Sequence, residues 1–197
     1  MQEFLDRHGA EPAVEADIAL LRAEHAAETA PPPMASVTAY VRWLMDRDSK
    51  STSLKSLQGK IWEQGYQAGE LRGEVYPDVP PALERWRRQG IEIAIFSSGS
   101  VQAQRNLFAN TPAGDLTHFI RAYFDTTTGP KTAAESYARI AATLDRSPPH
   151  VLFLSDVGAE LDAAQAAGMR TALCVRGPEA ATPAEGHPVI HTFDEVP

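Results

Sequence analysis

Three short apolar runs, each ending in polar residues, constrain this chain more than any other feature. They are Ile91–Phe96, Val151–Leu154 and Thr171–Val175. Built largely from Val, Ile, Leu and Phe without polar alternation, they read as strands buried on both faces. The segments between them carry helical spacing: Ala82–Gln89, Val101–Phe108, Thr132–Leu144 and Ala159–Ala167. Short strands alternating with helices predict an α/β fold, a Rossmann-like parallel sheet with helices on both faces. Ala122–Phe124 and Val189–Ile190 are candidates for two further short strands.

The chain before this region reads as helical. Val14, Ile18, Leu20 and Leu21 recur at helical spacing. Pro31, Pro32 and Pro33 break the pattern. A second run places Val37, Tyr40, Val41, Leu44 and Met45 on one face, and a third holds Leu54, Leu57, Ile61 and Trp62. Gly65, Gly69 and Gly73 weaken its end. The pattern changes at Tyr76-Pro77-Asp78-Val79-Pro80-Pro81, so the expected organisation is a helical domain over 1–75 and an α/β core over 76–197. Trp43, Trp62 and Trp86 are expected in cores or at a domain interface.

Composition narrows the partners. A net charge of −8 argues against nucleic acid or an anionic membrane. It leaves a small phosphorylated substrate open, because a few amides and one Lys can hold phosphate inside an acidic protein. The single cysteine, Cys174, excludes a disulfide framework and a Cys-based zinc site. The N-terminal residues hold no apolar signal core, and no apolar run is long enough to span a bilayer. A cytoplasmic protein is expected. The sequence is silent on assembly, and a monomer is the default.

Three polar signals fall where ligands of parallel sheets bind, beyond the carboxyl ends of strands. Ser97-Ser98-Gly99-Ser100 lies between a strand and a helix and offers hydroxyls and amides suited to phosphate. Alone, it reads more simply as a Ser cap with a turn glycine. Lys131 precedes a helix, where a cation is unfavourable unless an anion bridges it to the helix. Alone, it is a solvated lysine. Asp156 ends a strand, a place suited to a divalent metal, and Glu160 follows one turn later, placed to orient a metal-bound water or Lys131. Alone, these are a helix cap and a favourable first-turn acid. Asp162 reads as a surface charge. His187 and His191 flank Pro188 outside any helix, which argues against a metal pair.

The order strand-Ser, Lys before a helix, then strand-Asp resembles the later motifs of haloacid-dehalogenase-type phosphatases. Longer strings resemble one branch, acireductone synthase, the enolase-phosphatase of methionine salvage. They are VYPDVPPALERW (Val75–Trp86), FSSGSVQAQRNLF (Phe96–Phe108), AGDLT (Ala113–Thr117), YFDTTTGPKTAAESY (Tyr123–Tyr137) and FLSDVGAELDAAQAAGM (Phe153–Met169), with Tyr40–Tyr66 similar to that family's helical cap. The resemblance implies Mg²⁺-dependent conversion of 2,3-diketo-5-methylthiopentyl 1-phosphate to the enol phosphate, then to acireductone and phosphate. It implies that Ser97 and Ser98 hold the phosphate, that Lys131 neutralises it, and that Asp156 ligates Mg²⁺, with Gly99 and Glu160 supporting.

One part of the family pattern is not found. Its members carry a first strand ending in Asp-x-Glu-Gly-Thr, whose Asp is the nucleophile. The only candidate here is Asp6-Arg7-His8-Gly9-Ala10, where His8 replaces the carboxylate and Ala10 the Thr. The preceding Met1–Leu5 is short and polar for a central strand and reads better as the end of a cap helix. The expectation is a core without its first strand, inactive as written, whose reading frame begins upstream of Met1. The sequence leaves two alternatives: a catalytically dead remnant that binds phosphate or a protein, and a phosphatase of the same superfamily acting on another phosphomonoester. Val175-Arg176-Gly177-Pro178-Glu179 also departs from the family's Arg-Pro-Gly-Asn order.

Overall fold

Helical periodicity governs the chain up to Arg72, and no strand forms there among the described residues, which are 1–29, 35–47, 49, 51–177 and 186–196 of this computed structural model. The chain divides into two compact units, Met1–Arg72 and Gly73–Pro197. The first holds four helices: α1 (Gln2–His8), α2 (Pro12–Ala27), α3 (Val37–Asp46) and α4 (Thr52–Gln67). Local chemistry sets their starts. Pro12 stands in the first turn of α2, where its missing N–H costs nothing. Ser36 and Ser51 cap α3 and α4, accepting from Ala39 N and Leu54 N at 3.1 and 3.0 Å. The break at Pro31, Pro32 and Pro33 lies outside the described residues.

Phe4, Val14, Leu21, Tyr40, Val41, Leu44, Leu54 and Leu57 form the core of this unit. Three residues expected on apolar faces are instead largely exposed: Leu20 at 56%, Met45 at 54% and Trp62 at 44%. Leu20 and Met45 each adjoin a buried leucine, and one residue along a helix turns the side chain about 100° off the buried face. Trp43 is half-buried against the same core, with Arg47 over its ring. Polar ties reinforce the packing. Lys60 pairs with Asp17, and Ser51 and Ser53 donate to Glu24 at 2.6 and 2.5 Å.

The second unit begins at Gly73, whose N–H donates to Asn110 O at 2.8 Å. A Cβ at Gly73 would run into the backbone of Leu107, so only glycine allows this approach. Helices α5 (Val79–Arg88), α6 (Val101–Ala109), α7 (Ala134–Thr143) and α8 (Gly158–Ala166) alternate with strands β1 (Ile93–Phe96), β2 (Ile120–Phe124), β3 (Leu152–Ser155), β4 (Arg170–Cys174) and β5 (Val189–Ile190). Among the described residues the strands pair in parallel.

The strands form two sheets, β1-β2 and β3-β4-β5, rather than one. They nevertheless belong to a single layer. Ile93, Ile95, Leu152, Leu154, Ala172 and Cys174 face one apolar cluster, which includes Ala82, Leu83 and Trp86 of α5. Ala94, Phe96, Val151 and Phe153 face another, built on Tyr137, Ile140 and Ala141 of α7 and Ala163 and Ala164 of α8. Period-two alternation thus sends alternate residues of both sheets to the same two helical layers. Because β1 and β3 do not pair, each keeps one open edge. Their apolar side chains are half-buried apart from Ile93, whereas Thr171–Cys174 of β4 are buried.

Charged groups fasten the C-terminal segment to this core. Arg176 Nη1 donates to both carboxylate oxygens of Asp78 at 2.7 Å. Asp78 also accepts from Phe193 N at 2.6 Å. The Arg176 guanidinium lies 4.6 Å from the ring centres of both Tyr76 and Phe193. Phe193 in turn packs on Trp86, with ring centres 5.4 Å apart. His187 and His191 do not converge. His187 meets Thr171 Oγ1 at 2.8 Å and Asp162 Oδ1 at 3.1 Å, while His191 Nδ1 lies 3.2 Å from Val175 O. Asp162, expected as a plain surface charge, is thus an exposed partner of a buried histidine.

Candidate active site

The carboxyl ends of β1 and β3 carry the polar residues picked out from sequence, and the turn before α7 brings Lys131 to them. At the end of β1, Ser97 N donates to Phe124 O at 3.0 Å, which fixes the loop to the tip of β2. Ser97 Oγ accepts from Gly99 N at 3.1 Å and keeps its own proton to donate. Gly99 therefore serves as a turn residue, and its amide is already used. Ser100 caps α6 by accepting from Ala103 N at 3.2 Å. The amides of Ser98 and Ser100 have no acceptor among the described residues, and both residues are exposed. Two free N–H groups at a helix start suit an anion.

Lys131 is held from several sides. Gly129, at φ +133°, shapes the turn before it, and a Cβ there would meet Ser136 Oγ. Lys131 Nζ lies 2.6 Å from Glu160 Oε2 and 5.8 Å from the ring centre of Phe96, the residue before Ser97. Glu160 is buried, and the same oxygen accepts from Ser155 Oγ at 2.9 Å. The ammonium is thus tied to the end of β3 and poised over the end of β1.

Tyr137 joins these parts, and no sequence signal marked it beyond helical spacing. Its ring is fully buried and meets Phe96 and Phe153 edge-on, with centres 5.7 and 4.9 Å apart. Its hydroxyl donates to Lys131 O at 2.6 Å. Burial, with Glu160 nearby, pushes its phenol well above the usual tyrosine range, so it stays a neutral donor.

Asp156 follows β3 and is exposed. It does not cap α8: Val157 is the cap residue, and Val157 N donates to Ser155 Oγ at 3.1 Å. The Asp156 carboxylate has no hydrogen-bond or ion-pair partner among the described residues, so its oxygens are open to a ligand. Among the described residues no three His, Cys, Asp or Glu side chains gather into a metal site. Asp6 lies on the exposed surface of α1, accepting from Gln2 Nε2 one turn back at 2.8 Å, and no strand leads into it.

Comparison with known proteins places this arrangement. The model of haloacid dehalogenase-like hydrolases matches residues 5–168. Enolase-phosphatase E1 of Synechococcus elongatus is 52% identical over 201 residues, covering 98% of this chain and 84% of the relative. Enolase-phosphatase E1 of Sorangium cellulosum is 48% identical, covering 98% and 83%. The chain belongs to the enolase-phosphatase E1 family. Among solved structures, the UTR4 protein of Saccharomyces cerevisiae superimposes with a TM-score of 0.74 at 30% identity, over 97% of this chain and 92% of that one. The CbbY protein of Rhodobacter sphaeroides shares the fold, with a TM-score of 0.59 at 14% identity over 98% and 85%. For this enolase-phosphatase family member, Ser97, Lys131, Ser155, Asp156 and Glu160 therefore lie on a hydrolase fold, around the ends of two strands that do not pair.

Proposed function

We propose that the second unit binds the phosphoryl group of 2,3-diketo-5-methylthiopentyl 1-phosphate and serves the enolase-phosphatase reaction of methionine salvage, with the helical unit as its cap. The observation that carries this reading is the placement of Lys131. Its ammonium is held by buried Glu160, which also accepts from Ser155 at the end of β3, and sits over the ring of Phe96, the residue before Ser97, on the β1 side. A cation fixed between two strand ends neutralises an anion that bridges them. The phosphoryl oxygens would take the free N–H groups of Ser98 and Ser100, the O–H groups of Ser97 and Ser98, and the Lys131 ammonium. Phosphoryl transfer needs chiefly this positioning and charge neutralisation.

The residues present fit Mg²⁺ in one respect. Asp156 offers an open carboxylate at a strand end, and Mg²⁺ commonly takes one or two carboxylates together with phosphate oxygens and water. When bound there it would polarise the substrate carbonyl and balance phosphoryl charge. The described residues supply no second free carboxylate at the site, since Glu160 is engaged by Lys131 and Ser155. A covalent route also needs an acidic nucleophile, and Asp6 on α1 does not provide one at a strand end. A cytoplasmic location fits this reading, and no described helix is long and apolar enough to cross a membrane.

The test is phosphate release from the diketo substrate with Mg²⁺. Two proteins are compared: the 197-residue chain, and the same chain fused at its N-terminus to a strand ending in Asp-x-Glu-Gly-Thr. Release by the fused protein, abolished when the added Asp is changed to Asn, supports the proposal. A folded fusion that turns over other phosphomonoesters but not this substrate refutes it, as does a chain that fails to bind inorganic phosphate.

A further inference from the structure

Gln104 is a polar residue in the middle of α6, yet it is only 6% exposed. Its side-chain amide donates both protons to backbone carbonyls, to Gly99 O at 2.8 Å and to Phe124 O at 2.9 Å. Phe124 O is also the acceptor for Ser97 N. One amide group thus joins the Ser97–Ser100 loop to the tip of β2. Its own Oε1 is buried and has no hydrogen-bond partner among the described residues. Leaving a buried acceptor unpaired costs stability rather than adding to it. The two donors are what the position supplies.

The geometry gives these donors a function. In a planar trans peptide the C=O of one residue and the N–H of the next point in opposite directions. Gln104 draws Gly99 O inward, towards α6. That turns the Ser100 N–H outward, away from α6, where it has no acceptor among the described residues. We infer that Gln104 is the positioning residue that aims the Ser100 amide at the bound phosphoryl group. This rests on the reading that the loop binds phosphate. Gln104 does not touch the ligand; it acts through the Gly99–Ser100 peptide plane.

The experiment uses the 197-residue chain and inorganic phosphate as the probe. Binding is followed by ¹⁵N–¹H spectra, with Gln104→Met and Gln104→Glu as variants. Both variants keep the side-chain length and remove both donors. In the parent chain, phosphate should shift the Ser98 and Ser100 amides. In Gln104→Met the dissociation constant should rise about tenfold, and the Ser100 amide should stop responding while Ser98 still responds. Gln104→Glu should weaken phosphate further, because it also adds a negative charge. A purely structural role would instead lower the denaturation midpoint and leave the Ser100 response intact. If the parent binds and either folded variant binds within twofold with the Ser100 shift retained, the inference is wrong. If the parent itself shows no phosphate response, the phosphate-loop reading fails first, and the role of Gln104 falls with it.

Discussion

Asp78→Asn removes the charge that anchors the C-terminal segment, and the structure sets the size of the effect. The Asp78 and Arg176 side chains are 11% and 15% exposed, so little solvent screens them. Breaking a fully buried pair by deleting one partner costs roughly 3–5 kcal/mol. The residual exposure, and the one carbonyl that Asn retains, bring the expectation to about 3 kcal/mol. The second unit, Gly73–Pro197, has an unfolding entropy near ~0.26 kcal/mol/K at ~2.1 cal/mol/K per residue. The midpoint should therefore fall by about 10 °C at neutral pH. The pH dependence has a definite sign. Burial pushes the Asp78 carboxyl up, but the Phe193 amide and Arg176 outweigh it, and the folded value lies below the ordinary 3.8. The stabilisation is fully present above that ordinary value and is lost as pH falls through the lower folded one. Thermal unfolding followed by circular dichroism should thus show a gap between parent and variant that is constant from neutral pH down to the upper edge of that window and narrows below it. A gap under about 3 °C at neutral pH, or one that does not narrow in acid, would refute the reasoning.

Lys131→Met should weaken inorganic phosphate about tenfold, the worth of one charge-assisted contact, in a titration followed by ³¹P resonance; unchanged affinity would remove Lys131 from the site. Asp156→Asn should abolish any strengthening of phosphate binding by Mg²⁺, and without metal it should bind phosphate at least as tightly as the parent, since a nearby negative charge is gone. Calorimetry with and without Mg²⁺ separates these effects, and a variant that keeps the metal response shows that Asp156 is not a ligand. Tyr137→Phe loses only the bond to Lys131 O, so stability should drop by about 1 kcal/mol in urea unfolding. Tyr137→Ala also opens a cavity between Phe96 and Phe153 and should cost about 3–5 kcal/mol. Equal losses in the two variants would show that the ring does not bridge the strand ends.

How far the molecule could be read from its sequence follows from the range of each interaction. Strand-forming runs and helix spacing are local, so β1, β3 and β4 and helices α5 to α8 lie within two or three residues of expectation. The polar tips of β1 and β3 were legible for the same reason, since Ser97 and Asp156 each end an apolar run. Whether Glu160 would orient Lys131 or a metal-bound water stayed open, because its partner lies 29 residues away; the structure gives it to Lys131 and Ser155. Tyr137 and Gln104 had no signal of their own. A tyrosine and a glutamine in amphipathic helices look ordinary, and their importance arises only when packing aims a hydroxyl at Lys131 O and an amide at Gly99 O and Phe124 O. The break between the two sheets was also beyond local reading, because a strand's pattern shows which faces are buried and not which edges are paired. These gaps share a physical consequence. Ser97 and Asp156 stand on strands that are not hydrogen-bonded to each other, so the side chains between them must keep the two ends in register. Tyr137 does so through apolar contact with Phe96 and Phe153, and Lys131 through its ion pair on one side and the Phe96 ring on the other. The site's geometry therefore depends on α7 more than on the sheet, and changes along that helix should disturb phosphate binding sooner than equal changes on β2 or β4.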